Sequence, residues 1–489
     1  MSTKKVLLLA QGSCSRWTLS KVGKRDFLGI RKHLLIVDGE TLLGRARRLF
    51  TEAGCEVVVI GPQLEGYTPC VTLDNPHPTG TEQDKFIASS PLWSRKGRTI
   101  ITWGDCYYTE EAVRTIVSYP TDELHYFRRT GPSKITGHKW DESFAVSFGP
   151  GEQGRVLDIA FSVVNAIKRK KFVKKDHIRT HLAAGLGLKD WADNDLLIHA
   201  AHQTNINDWT DDFDRPDECT RWLGRYYDHR VKTAVCIPWR ANGKEREYSR
   251  RFVHKYYASM SRVYYGTANG KTFNRAAARN AAAFAALEAS PSLEILFFAD
   301  ADTYVSPAQF WAACYLARTY NRAVIAYHKY CPLSRTMSQS VMNKGTKVAG
   351  SVVAGHASGA VAVPVPLWKR MGGYDERFVS WGGEDRAFMI VCDALSGVKH
   401  SSRVAGTAYH LWHPVTPEND RRLPVYKNNI RLGVKYKQAA GRFEKMGILP
   451  SSKGLPIGDK NVLALLSERG GPLHPSFVTQ GLKVEGLSG

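Results

Sequence analysis

The chain has 489 residues, of which 43% are hydrophobic and 23% are charged. This length suits two or three domains, and the composition excludes an intrinsically disordered protein. The formal net charge of +22 favours anionic partners such as nucleotides, sugar phosphates or nucleic acid. The first apolar run, 6–10, is too short for a signal peptide or a membrane span, and no later run is long enough either, so we expect a cytoplasmic protein without membrane insertion.

The first half of the chain alternates strand and helix patterns. "KKVLLLAQGSCSRW" (4–17) predicts a strand followed by a loop of small residues, and "EVVVIG" (56–61) predicts a second strand after an intervening helix. "CTRWLGRYYDHR" (219–230) indicates a closing helix and a short polar joint. Such alternation is typical of parallel α/β sheets.

The second half begins in the same way. "VKTAVCIPWRANG" (231–243) and "SRVYYG" (261–266) predict two strands separated by a helix. The fold class that follows is α/β, with two Rossmann-like domains in tandem and a C-terminal tail. We predict domains at 1–228 and 231–427 and an extension at 428–489, where Gly, Pro and Ser after about residue 440 indicate loose packing.

Two carboxylates follow a predicted buried strand in "ILFFADADTYVS" (295–306). Asp300 and Asp302 stand at i and i+2 and repel each other unless a cation or protons lie between them. Ligands of α/β sheets gather at the carboxyl ends of strands, where these two residues lie. The pattern suits a hard divalent cation, Mg²⁺ or Mn²⁺, or else an ordinary strand-to-loop transition.

Three neighbouring motifs favour the metal site. "FNRAAARNAAAFAAL" (273–287) predicts an alanine-rich helix, "MGGYDERFVSWGGEDRAF" (371–388) places two glycine pairs around aromatic residues, and "YHLWHP" (409–414) supplies two histidines. With the Asp-x-Asp segment, and in this order, they resemble GT-A glycosyltransferases of the type-2 and galactosyltransferase groups. The resemblance covers about residues 231–415.

The resemblance implies a nucleotide-sugar donor site and a metal site. The implied donor-binding residues are Pro238, Trp239, Arg240, Arg275 and Asn280. The implied metal ligands are Asp300 and Asp302, completed by His410 or His413, between which the sequence does not choose.

The "WGGED" segment lies where these enzymes bind the acceptor, which implies acceptor contacts from Trp381, Gly382 and Gly383. Asp385 or Glu384 is then the general base that takes the proton of an acceptor hydroxyl. A base opposite the leaving group implies inversion at the anomeric carbon.

In the first half, "LLLAQGSCSRW" and "RKHLLIVDGETLLGRARRLF" (31–50) resemble MobA-like and sugar-1-phosphate nucleotidyltransferases. A glycine-rich loop presents backbone N–H groups to phosphates, and Arg and Lys add positive charge as pyrophosphate departs. The resemblance implies nucleotide contacts from Gly12 and Ser13 and catalytic roles for Arg16 and Lys32.

Later segments extend this second resemblance to about residue 225. "PTGTEQDKF" (78–86) implies that Gly80 and Thr81 face the base and sugar. "IITWGDCYYTEEAV" (100–113) and "DDFDRPDE" (211–218) imply metal ligands, which are Asp105, Asp212 and Asp214. Cys14 and Arg31 replace residues usual in the family, which leaves open whether the domain is active or only binds a nucleotide.

Together the halves predict a bifunctional enzyme. The first would make a nucleotide-sugar from an NTP and a sugar phosphate, and the second, with Mn²⁺ or Mg²⁺, would transfer the sugar to a protein, a small molecule or a modified DNA base. The alternative is a non-catalytic nucleotide- or nucleic-acid-binding protein.

Overall fold

The computed structural model describes residues 4–10, 16–19, 27–61, 70–73, 82–168, 202–241, 243–268, 270, 272–345, 350–354, 359–398, 401–415 and 420–445. The chain forms two compact units, Met1–Cys219 and Thr220–Gly489. Among the described residues, no helix combines the length and the apolar composition that a membrane crossing requires.

The first unit is built on a mixed sheet of seven described strands. Their order across the sheet is Gln203–Asn205, His125–Arg129, Glu142–Phe148, Thr99–Trp103, Lys5–Leu9, Glu56–Ile60 and Cys70–Val71. Lys5–Leu9 is parallel to both of its neighbours, whereas Glu142–Phe148 is antiparallel to both of its own. Two short antiparallel pairs complete the strands: Ile36–Val37 with Glu40–Thr41, and Cys106–Tyr107 with Asp211–Asp212.

Helices flank this sheet and bury its apolar side chains. The α-helices are Leu42–Glu52, Glu82–Ser89, Glu110–Ser118 and Gln153–Lys168, and the 3₁₀ turns are Phe27–Gly29, Lys32–Leu34, Ser90–Leu92 and Pro150–Glu152. Helix Pro216–Tyr226 follows them in the chain. Alternate residues of the central strand, Leu7 and Leu8 among them, belong to different apolar clusters, so the sheet has a core on each face.

The second unit contains a mixed six-stranded sheet and a smaller four-stranded sheet. The order in the larger sheet is Arg262–Gly266, Thr233–Pro238, Ile295–Ala299, Ala360–Pro364, Val324–Ile325 and Ser402–Arg403. The smaller sheet is ordered Thr303–Tyr304, Thr407–His410, Lys329–Pro332 and Val353–Ala354. The helices that follow Pro216–Tyr226 are Lys244–Ala258, Arg275–Ala289, Pro307–Tyr320, Arg335–Lys344, Val365–Met371, Glu384–Leu395 and Pro424–Lys445.

A glycine sets the position of helix Arg275–Ala289. The Asn274 side chain caps this helix by accepting a hydrogen bond from the Ala277 N–H. At the end of the neighbouring strand, a Cβ on Gly266 would stand 1.7 Å from the Ala278 carbonyl oxygen, so only glycine permits this approach. The close packing brings the start of the helix to the ends of the central strands.

The predicted α/β class with two sheets is confirmed. The prediction of parallel sheets was wrong, because Glu142–Phe148 and Ala360–Pro364 run against their neighbours and make the main sheet of each unit mixed. The predicted domain limits stay predictions; the described chain continues as one helix from Pro424 to Lys445, and residues 446–489 lie outside the described part.

Candidate active sites

The second unit contains a cavity of about 650 Å³ at the ends of its central strands. Thr233–Pro238 and Ile295–Ala299 are parallel neighbours, so the residues that follow them meet at one edge of the sheet. The predicted residues that line this cavity are Pro238, Trp239, Arg240, Arg275, Asp300, Asp302, Trp381, Gly382, Gly383, Glu384, Asp385, His410 and His413.

Asp302 lies beside both candidate histidines. The pairing of Thr303–Tyr304 with Thr407–His410 brings the first histidine to the end of the acidic loop. Nε2 of His410 is 3.4 Å from Oδ1 of Asp302, and Nε2 of His413 is 3.3 Å from Oδ2. Burial opposes ionisation of Asp302, but the two histidines hold its pKa below its usual range.

This group fits a divalent cation. Its three ligand atoms all lie within 4.8 Å of one another. One carboxylate and two imidazoles suit Mn²⁺ and later first-row ions better than Mg²⁺, which prefers oxygen ligands. Nδ1 of His413 lies 2.9 Å from the Pro414 carbonyl oxygen and 3.1 Å from a guanidinium nitrogen of Arg246. A cation on Nε2 requires the tautomer in which Nδ1–H donates to that carbonyl.

Asp300, the other half of the predicted Asp-x-Asp pair, is bound to an arginine. Nη2 of the buried Arg279 donates to Oδ1 of Asp300 at 2.8 Å, and Nη1 donates to Oδ1 of Asp385. The guanidinium also lies 4.9 Å from the centre of the Tyr374 ring. The metal-ligand role of Asp300 therefore stays a prediction, while Arg279 connects the acidic loop to the predicted base.

Glu384 and Asp385 begin helix Glu384–Leu395 and differ in their partners. Nη1 of Arg275 donates to Oε1 of Glu384 at 3.2 Å. Burial raises the pKa of Asp385 to about 7; Arg279 opposes the shift, and the charges of Glu384 and Asp300 add to it. A carboxyl group with this pKa can accept a proton at neutral pH.

The predicted acceptor segment forms a tight turn against helix Pro424–Lys445. Gly382 and Gly383 have φ of 101° and 97°, and a Cβ on Gly382 would stand 2.9 Å from the ring of Tyr426. The ring of Trp381 stacks on that of Tyr426, with 5.4 Å between centroids and 15° between planes. Trp381, a predicted acceptor contact, is therefore one of a pair of stacked rings at the cavity.

The residues predicted to bind the nucleotide-sugar separate into two groups. Trp239 follows its strand directly, its N–H donates to the Gly266 carbonyl oxygen at 2.8 Å, and the guanidinium of Arg250 lies 5.4 Å from its ring centre. Asn280 is buried and is not part of the cavity lining; its amide oxygen accepts from the Tyr374 N–H at 2.8 Å. The role of Asn280 in binding the nucleotide-sugar stays a prediction, because the contacts of its side chain hold the loop at Tyr374.

Several residues in or next to the cavity had no predicted role in the sequence. Arg246 follows the donor segment by a few residues, and its position at the start of a helix gave no signal of its own. Arg279 stands four residues after Arg275, a spacing that places both on one helix face and could have revealed it. Tyr426 and Lys437 lie beyond residue 415, outside the segment that carries the resemblance.

The first unit brings its predicted charged residues together. Nζ of the buried Lys32 forms an ion pair with Asp105 and lies 3.0 Å from Oδ1 of Asp214. Nη2 of Arg16 lies 2.5 Å from Oδ2 of Asp214. Burial would lower the pKa of Lys32, but Asp105, Asp212 and Asp214 raise it above its usual value, so the ammonium stays protonated.

A second possible ligand group lies next to this lysine. Asp212 stands opposite Cys106 in a short antiparallel pair, and ligand atoms of Asp105, Cys106 and Asp212 lie within 4.8 Å of one another. Burial, with Asp214 and Asp105 nearby, raises the pKa of Asp212 well above its usual value. A proton on Asp212 thus neutralises a charge that a bound cation could neutralise instead. The sequence did not predict Cys106 in this group.

Four predicted residues, Gly12, Ser13, Gly80 and Thr81, lie outside the described residues. Their roles stay predictions.

No protein-family profile and no curated protein sequence matches the chain. Distant structural matches include the catalytic domain of Drosophila β1,4-galactosyltransferase 7 in complex with xylobiose, with 17% identity and a TM-score of 0.30 over 41% of this chain and 79% of that one. The inositol-1-phosphate CTP transferase of T. maritima matches with 13% identity and a TM-score of 0.24 over 36% of this chain and 78% of that one. A putative glucose-1-phosphate thymidylyltransferase from Bacillus anthracis, in complex with a sucrose, matches with 13% identity and a TM-score of 0.25 over 44% of this chain and 91% of that one. These similarities are too weak to assign an activity.

Proposed function

We propose that the second unit is a metal-dependent glycosyltransferase that moves a sugar from a nucleotide-sugar to an acceptor hydroxyl. One observation carries the proposal: a divalent-cation ligand group and a carboxyl group with a pKa near 7 line the same cavity. Carboxylate pairs are common, but this combination matches the two needs of the reaction, which are charge neutralisation at a departing diphosphate and a base for the acceptor.

The donor is proposed to lie between the strand ends and helix Arg275–Ala289. Pro238, Trp239 and Arg240 would contact its base and ribose, and Arg275 would face its diphosphate. Asp302, His410 and His413 would hold the cation, preferably Mn²⁺, which when bound supplies positive charge to the diphosphate. Arg279 would orient the Asp300 carboxylate, which would remain within reach of these three residues.

The acceptor is proposed to enter beside Trp381 and to present its hydroxyl to Asp385. The hydroxyl oxygen forms a bond to the anomeric carbon as the bond from that carbon to the diphosphate oxygen breaks, and the diphosphate leaves with the electron pair. The proton of the hydroxyl passes to the Asp385 carboxylate. Attack from the face opposite the leaving group inverts the anomeric configuration, which anomer analysis of the product tests.

For the first unit we propose nucleotidyl transfer, on the convergence of Lys32, Arg16, Asp105, Asp212 and Asp214. The cationic side chains would neutralise the triphosphate of an NTP as the phosphate of a sugar attacks and pyrophosphate departs. The carboxylates would hold a divalent cation. Incubation with NTPs and sugar-1-phosphates, scored by pyrophosphate release, tests this second activity independently of the first.

The decisive experiment for the second unit is a panel of nucleotide-sugars with Mn²⁺, scored for acceptor-free hydrolysis. We expect one donor to be hydrolysed and this activity to fall at least about a thousandfold in Asp302→Asn, which removes a ligand charge at nearly constant volume. Asp228→Asn is the matched control, because Asp228 is an exposed aspartate of the same unit outside the cavity. Equal hydrolysis in both variants would refute the proposed site.

A further inference from the structure

Helix Pro424–Lys445 carries mainly positive charge. It contains six Lys and Arg residues and one acidic residue, Glu444 in its last turn. Among those with described side chains, Lys427, Arg431, Lys435 and Lys437 are exposed. A solvated helix normally mixes charges of both signs, so this segment is suited to an anionic partner.

The helix places this charge beside the cavity. Tyr426, Ile430, Gly433, Val434 and Lys437 line the cavity, and their spacing defines one helix face. Lys427, Arg431 and Lys435 each lie one residue, or about 100°, further round the helix. They form a cationic stripe along the cavity edge, with about 6 Å of helix rise from one cation to the next.

Apart from Lys437, the residues named on the cavity face of the helix are apolar or aromatic. Ile430 and Val434 are each 44% exposed, although both are aliphatic. Tyr426 stacks with Trp381 at the same place. A row of cations next to aromatic and apolar side chains is the combination by which proteins bind single-stranded nucleic acid, whose phosphates need charge and whose bases need flat apolar contacts.

Resting on the glycosyl transfer proposed above, we propose that the acceptor is a polynucleotide. Its phosphate backbone lies along Lys427, Arg431 and Lys435, and one hydroxyl-bearing nucleotide enters the cavity beside Tyr426. The hydroxyl oxygen of that nucleotide forms the bond to the sugar, the nucleotide diphosphate leaves with the electron pair, and the proton passes to Asp385.

The test is binding of a fluorescent single-stranded oligonucleotide of about 20 nucleotides to the full chain across a salt series. The triple variant K427Q/R431Q/K435Q is compared with K255Q/R262Q/K344Q, which removes the same charge from exposed positions of the same unit outside the cavity lining. We expect the slope of log affinity against log salt to fall by about 2 in the first variant, at about 0.7 per phosphate contact, and to stay near the wild-type slope in the second. Equal thermal unfolding midpoints establish that both variants fold.

Polyglutamate of similar length is the second probe. Preference for polyglutamate, or equal loss of oligonucleotide binding in the two triple variants, would overturn the polynucleotide proposal in favour of an acidic protein or of unspecific charge. With the donor identified, sugar transfer to RNA and to DNA carrying 5-hydroxymethylpyrimidines distinguishes the two sources of the hydroxyl. Donor hydrolysis without any acceptor separates the proposals: if it persists while no oligonucleotide binds or is glycosylated, only the acceptor assignment fails.

Discussion

The two units neutralise their clustered carboxylates in different ways. In the first, Lys32 is a permanent cation held between Asp105 and Asp214. In the second, Asp302 faces two imidazoles, which together with the carboxylate form a ligand group for a divalent cation. Clustered acids alone therefore do not identify a metal site. The two clusters differ in the group that faces the buried carboxylate, which is an ammonium in the first and a pair of imidazoles in the second.

Removal of the Lys32 ammonium should have the largest effect, which is a loss of stability of the first unit. Lys32→Met leaves Asp105 buried beside Asp214 without an ammonium, so we expect the first unit to lose about 3–5 kcal/mol of stability. Hydrogen exchange in strand Lys5–Leu9 measures this loss within the full chain. Lys96→Met, an exposed lysine of the same unit, should change exchange very little.

A double variant tests whether the unpaired charge of Asp105 causes the loss of stability in Lys32→Met. K32M/D105N removes both partners of the ion pair, so it should recover part of the stability lost in Lys32→Met. If the two variants are equally unstable, lost packing and not the uncompensated carboxylate explains the effect, and the contrast between the units weakens.

A buried histidine of the first unit, bound to a second buried carboxylate, should make the free energy of unfolding depend on pH. Asp211 bonds Arg129 at 2.8 Å and Nδ1 of His138 at 2.9 Å. Burial alone would lower the pKa of His138, but the bonds to Asp211 and Glu142 raise it to about 9. Because the folded pKa exceeds the unfolded value of 6.5, the stabilisation is full below pH 6.5 and is lost as the pH rises through 9.

The expected loss is about 3 kcal/mol between pH 6.5 and 9.5, measured by denaturant unfolding monitored through hydrogen exchange in the first unit. His138→Gln should flatten this dependence. If the free energy of unfolding of His138→Gln depends on pH as it does in the wild type, another group titrates in this range.

The sequence predicted best the residues that stand at strand ends. Asp302 could be placed because five apolar residues precede the acidic segment, and His410 and His413 because both belong to a short motif near the end of the resemblance. Direction within the sheets could not be predicted, since an antiparallel strand such as Glu142–Phe148 has the same apolar pattern as a parallel one.

Contacts between distant segments were also beyond the sequence. Arg279 was visible as a polar residue of a helix, but its bonds to Asp300 and Asp385 join segments up to 106 residues apart. Tyr426 and Lys437 belong to a helix that no recognised motif covers. Long-range pairing of this kind depends on tertiary packing, which local spacing does not encode.

The proposed base of the second unit should govern the pH dependence of transfer. Only the ionised Asp385 accepts a proton, so kcat/KM should rise with pH up to about 7 and then level off, with about a tenfold loss at pH 6. Asp393 is the matched control, because burial raises its pKa to about 7 as well and it is not part of the cavity lining.

Transfer rates from pH 5.5 to 8.5 test this dependence in the wild type and both variants. Asp393→Asn should keep the inflection, whereas Asp385→Asn should lose it together with about a hundredfold or more of the rate. An unchanged inflection in Asp385→Asn would assign the proton transfer to another group, of which Glu384 is the first to examine.

The smallest expected effect concerns the choice of metal, and it bears most directly on the contrast between the units. Two imidazoles beside Asp302 favour Mn²⁺, so wild-type donor hydrolysis should be about tenfold faster with Mn²⁺ than with Mg²⁺ at equal concentration. His413→Asp replaces a nitrogen ligand with oxygen and should narrow this ratio, while His229→Asn, at an exposed histidine of the same unit, should leave it unchanged. A ratio that does not respond to His413→Asp would mean that this imidazole does not reach the ion. The contrast between the imidazoles of the second cluster and the ammonium of the first would then not extend to the choice of metal.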